Sequence, residues 1–116
     1  MIYIIVCVFI LFDIGSGILK ALHIGDINST KLRKGLYHKI AELMILFGAG
    51  FLEYSLHYFG YGNDIPILKG VAVYICATEL VSVIENISMV SPTLGNFLVK
   101  YFDKINLKEG NDDKGN

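Results

Sequence analysis

Hydrophobic positions fall into three long blocks and one shorter striped segment. Residues 1–19 (MIYIIVCVFILFDIGSGIL) hold a single charge, Asp13. Residues 40–59 hold Glu42 and Glu53, residues 70–90 hold Glu79 and Glu85, and none of the three blocks contains Lys or Arg. A helix needs about 20 predominantly apolar residues to cross a bilayer core of about 30 Å, and each block is that long. A three-helix bundle in water would instead show a wide face studded with Lys and Glu. The pattern predicts an all-α integral membrane protein with spans over about 2–21, 40–59 and 67–90. The first block lacks a basic leading segment and ends in DIGSGILKA rather than a small-residue cleavage site, so it is expected to be a retained span rather than a signal peptide.

Pro66 and Pro92 bracket the third span. Beyond Pro92 the period changes. Leu94, Phe97, Leu98, Tyr101, Phe102 and Ile105 follow the i, i+3, i+4, i+7 spacing of an amphipathic helix, with Lys100, Asp103 and Lys104 on the other side. This segment is too short to span, so an interfacial helix over 94–106 completes a membrane domain of residues 1–106. Residues 107–116, rich in Gly, Asn and Asp, are expected to form a short disordered polar tail.

The 116 residues are 53% hydrophobic and only 18% charged, with a net charge of −1. Soluble domains average about 45–50% and about 25%. The composition excludes global disorder, and the absence of a basic excess argues against a nucleic-acid partner. Cys7 and Cys76 form no CxxC, and His23, His38 and His57 share no metal-ligand spacing. There is no phosphate loop and no nucleophile beside a base. The expectation is a protein that is not an enzyme and has no metal or cofactor.

The basic residues set an expected orientation. Between the first two spans, residues 20–39 carry Lys20, Lys31, Arg33, Lys34 and Lys39 against one acid, Asp26, whereas GYGNDIP at 60–66 has no basic residue. The positive-inside rule makes the first loop cytoplasmic, with the N-terminus outside and the C-terminus inside. Lys31, Arg33, Lys34 and Lys39 then form a basic cytoplasmic loop beside lipid headgroups. Ser29 is a candidate N-cap within it. Tyr54, Tyr58, Phe59 and Tyr61 suit an aromatic belt at the opposite interface.

Acids in a span are costly, about 2.5–3.5 kcal/mol each at mid-helix on insertion scales, and they normally face a bundle interior or water. At 100° per residue, Glu42, Ala49 and Glu53 share one stripe, which His38 extends. Thr78, Glu79, Ser82, Glu85 and Asn86 occupy about a third of the next helix's circumference, and Asp13, Ser16, Gly17 and Lys20 share a face of the first. Lys20 is placed either to neutralise Asp13 or to snorkel to the surface. Two readings stand side by side. The stripes are interhelical glue, aided by small residues such as Gly15, Gly17, Gly48 and Gly50, or they line water in an assembly. Three helices enclose no useful channel, so a pore requires several copies.

The segments DIGSGILKA at 13–21, NSTKLRKGLYHKI at 28–40 and ATELVSVIENISMVSPTLGNFL at 77–98 resemble the phage holin family that includes the clostridial toxin-secretion holins. The matching positions are Asp13, Ser16 and Gly17 at the end of one span. Ser29, Lys34, Gly35, Lys39 and Ile40 match the basic stretch, and Glu79, Ser82, Val83, Glu85 and Asn86 match the last span. Members commonly carry more residues before the Asp-containing span than this chain does. The resemblance implies a homo-oligomer in the bacterial cytoplasmic membrane that permeabilises it and serves an endolysin, or another released protein, indirectly. The alternative from another class is a small proton- or cation-coupled transporter. A third is a membrane adaptor that recruits a soluble partner through its basic loop and terminal helix.

Overall fold

The computed structural model describes residues 1–61 and 65–114, leaving aside the side chains of Phe102 and of residues 106–114. Among the described residues four α-helices follow one another: α1 (Ile2–Ile24), α2 (Ser29–Tyr58), α3 (Ile67–Val90) and α4 (Pro92–Lys114). The first three are long and apolar enough to cross a membrane, as the hydropathy pattern predicts.

The breaks between helices have local causes. α1 ends at Gly25, whose φ of 79° places it in the left-handed region, and its N–H reaches the carbonyl of Ala21 at 2.9 Å. Asn28 then caps α2, its side-chain oxygen accepting from the Thr30 N–H at 2.9 Å. The cap is therefore Asn28 rather than Ser29, which forms the first helical residue. Because the cap sits this early, Lys31, Arg33, Lys34 and Lys39 are helical rather than part of a loop, and the 30-residue α2 measures about 45 Å at the ordinary helical rise. Its first third extends beyond the apolar block. Pro66 precedes α3 and Pro92 opens α4, where a missing N–H costs nothing.

α3 is the central helix. α1 packs along most of it in parallel, and α2 and α4 pack on its remaining sides. The apolar core is small: Val6 and Ile10 of α1, Leu46 of α2, and Ala72 and Ile75 of α3. Tyr3 stacks on Phe47 with ring centroids 5.1 Å apart, and a Cβ on Gly50 would collide with the Tyr3 hydroxyl. The molecule measures 53 × 50 × 21 Å, so its thin dimension is only about two helix diameters. Large apolar side chains such as Leu11, Phe12, Met44, Phe51, Val73 and Tyr74 are consequently exposed, as suits a protein whose solvent is lipid.

α4 turns back onto α3 at Gly95. A Cβ there would lie 2.6 Å from the Ser88 Cα, so the close approach requires glycine. Leu94, Phe97, Tyr101 and Ile105 are exposed, leaving most of the amphipathic stripe uncovered. Helical backbone continues through Lys114, past the boundary at 106 set by the sequence pattern. Of the expected tail, residues 115–116 lie outside the described residues.

Candidate functional site: an ion-paired cluster joining three helices

The polar stripes converge where the three spanning helices meet. Asp13 of α1, Lys39 of α2 and Glu79 of α3 form one cluster, with Lys39 Nζ donating to Asp13 Oδ2 and to Glu79 Oε2. Their side chains are 12%, 10% and 2% exposed, respectively. At that burial each charge is compensated within the bundle or not at all.

Asn86, two turns along α3 from Glu79, fastens the other side of Asp13. Its Nδ2 donates to Asp13 Oδ1 at 3.3 Å and to Ser16 Oγ at 3.0 Å. Ser16 Oγ in turn donates to the Asp13 carbonyl at 3.0 Å. A Cβ on Gly17 would stand 3.7 Å from Asn86 Nδ2, so α1 presents a smooth wall to that amide. Both Asp13 carboxylate oxygens are thus occupied, by an ammonium and by an amide.

Glu42 enters from α2, one turn beyond Lys39. Its Oε1 lies 3.0 Å from His38 Nε2, and His38 is largely exposed. Its Oε2 is buried without a hydrogen-bond partner among the described residues. The site therefore holds three carboxylates around one lysine, with a histidine at its edge.

A cavity of about 390 Å³ opens beside the cluster between α1 and the first third of α2. Asp13, Lys20, Lys39, Ser82 and Asn86 line it, together with Asp26 and Lys31, which face each other at 3.6 Å. This cavity opens the Asp13–Lys39 pair toward the end of the bundle that carries the basic residues.

The structure brings Asp13, Ser16, Gly17, Glu42, Glu79, Ser82 and Asn86 to one region. Glu53 and Glu85 stand elsewhere. Glu53 is half-buried near the far end of α2, Glu85 is exposed on α3, and neither pairs with a side chain among the described residues. Lys31, Arg33 and Lys34 are exposed on the first turns of α2.

Lys39 is the correction of most consequence. Expected in a solvated loop, it is buried inside the bundle and supplies the cation for Asp13, the role considered for Lys20. The signal was present in the chain. Lys39, Glu42, Leu46, Ala49 and Glu53 repeat at steps of three and four, the period of one helix face.

A family model described as the bacteriophage holin family matches residues 1–107. That match runs from α1 into α4 and contains every residue of the cluster. No curated protein and no solved structure matches the chain.

Proposed function

Because the chain belongs to the bacteriophage holin family, a family of multi-pass proteins of the cytoplasmic membrane, we propose that it gathers into homo-oligomers there and permeabilises the bilayer. The lesion would release an endolysin or another cytoplasmic protein to the cell wall. The observation that carries this reading is the division of the intramembrane acids into two sets. Asp13 and Glu79 share the Lys39 ammonium inside the bundle and Glu42 joins them against His38, whereas Glu53 and Glu85 have no side-chain partner among the described residues.

The first set supports a closed state in which the chain holds its buried acids against its own lysine and histidine. The second supports association, because an acid exposed on a spanning helix is destabilised against lipid and is relieved by another copy or by water. When copies crowd together, water reaching the Lys39 cluster through the neighbouring cavity removes the need for its ion pairs. The polar faces of the three helices can then line an aqueous lesion. The basic end of α2 is the cytoplasmic end in this proposal, and the uncovered stripe of α4 lies along that interface.

The test is controlled expression in a bacterium while membrane potential and release of a cytoplasmic enzyme are followed together. A delayed, abrupt loss of both is expected. A slow, saturable, gradient-dependent flux without enzyme release would overturn the proposal in favour of the small transporter.

A further inference from the structure

A second cavity, of about 590 Å³, runs along the seam between α1 and α3 and is lined by none of the residues of the ionic cluster. Its walls are Ile2 and Phe9 on α1 and Ala72, Ala77 and Leu80 on α3, with Lys69 at one end. Lys69 is its one charged group, is exposed, and has no ion-pair partner among the described residues.

We infer that this groove is a binding site for one anionic phospholipid, its acyl chain between α1 and α3 and its phosphate at Lys69. Three features select that occupant. The first is length. From Lys69 to Leu80 the groove follows α3 for eleven residue steps, about 16 Å at helical rise, which is half of a bilayer core of about 30 Å. That is the depth of one leaflet, and it suits a single acyl chain better than a helix of a second copy, which would need the full thickness.

The second feature is shape. Ala72 and Ala77 hollow the α3 side while Phe9 and Leu80 line the end away from Lys69, so the apolar walls match a flexible hydrocarbon tail. The third is charge. α1 and α3 are parallel and both begin at the Lys69 end, so two helix N-termini direct their positive dipole ends to the mouth that carries the ammonium. An anionic headgroup is favoured there over a zwitterionic one.

The test uses the full-length protein reconstituted in mixed phosphatidylcholine and phosphatidylglycerol vesicles, re-extracted in mild detergent, with retained lipids counted by native mass spectrometry. The wild type is expected to retain phosphatidylglycerol selectively. Lys69→Gln should lower that selectivity about fivefold, the ordinary worth of one basic residue at a charged membrane surface. Ala77→Phe should fill the groove and lose both lipids at unchanged helical circular dichroism. An unchanged lipid ratio in Lys69→Gln would overturn the assignment, whatever the folding of Ala77→Phe. So would efficient Cys76–Cys76 cross-linking between copies in a Cys7→Ser background, since Cys76 lines the groove and would then be covered by protein.

Discussion

Lys39 and Glu79 lie forty residues apart, on two different helices, and meet in a buried hydrogen-bonded ion pair that Asp13 completes from a third. One lysine therefore ties α1, α2 and α3 together. α2 packs on α3 less extensively than α1 does, so it depends on that tie more than the other two helices.

Lys39→Met should destabilise the bundle sharply, because it strands two buried carboxylates. Removing one partner of a buried ion pair costs about 3–5 kcal/mol. Thermal unfolding of the detergent-solubilised protein should show a markedly lower midpoint. The triple substitution Asp13→Asn, Lys39→Met, Glu79→Gln should regain most of the loss, since it removes the charges along with the pairing. A triple variant no more stable than Lys39→Met alone would contradict the assignment of the cost to unpaired charge.

Asn86→Ala should cost less, about 1–3 kcal/mol, the penalty for leaving a buried acceptor without its donor. The loss should be smaller in an Asp13→Asn background. A double-mutant cycle on the same unfolding transition measures that coupling, and strict additivity would mean that Asn86 does not act through Asp13.

Gly95→Ala forces a methyl group against the Ser88 backbone, and overpacking of this kind costs about 1–3 kcal/mol. The expected result is faster amide exchange in α4 with α1–α3 unaffected. Uniformly faster exchange across the chain would show that α4 is integral to the bundle rather than appended to it.

Glu53→Gln and Glu85→Gln should leave the thermal midpoint nearly unchanged, because neither acid pairs with a side chain among the described residues. Both should shift the yield of chemically cross-linked oligomers in membranes. Equal cross-linking with lowered stability would reverse the assignment of these acids to contacts outside the chain.

Most of the fold was legible because spanning length and the absence of Lys and Arg are local properties of the chain. The start of α2 was not. Residues 29–39 are polar and basic, which reads as a loop, yet an Asn28 cap followed by Lys, Leu and Arg, all good helix formers, extends the helix by about three turns. For the same reason the sequence pattern groups Lys39 with its basic neighbours rather than with the stripe it heads. The clustering of Asp13, Glu79 and Asn86 followed from helical spacing only as far as each helix's own face. Which faces meet depends on the α1–α3 and α2–α3 packing, and no spacing within a single helix encodes that.

If the Lys39 ion pairs hold the chain in its closed state, breaking them must change the time of lesion formation. Wild type, Lys39→Met and the Asp13→Asn, Lys39→Met, Glu79→Gln triple would be expressed at matched levels with membrane potential recorded continuously. Lys39→Met should collapse the potential earlier than wild type, with the triple variant returning toward the wild-type time. Identical collapse times in all three, at equal membrane abundance, would contradict it.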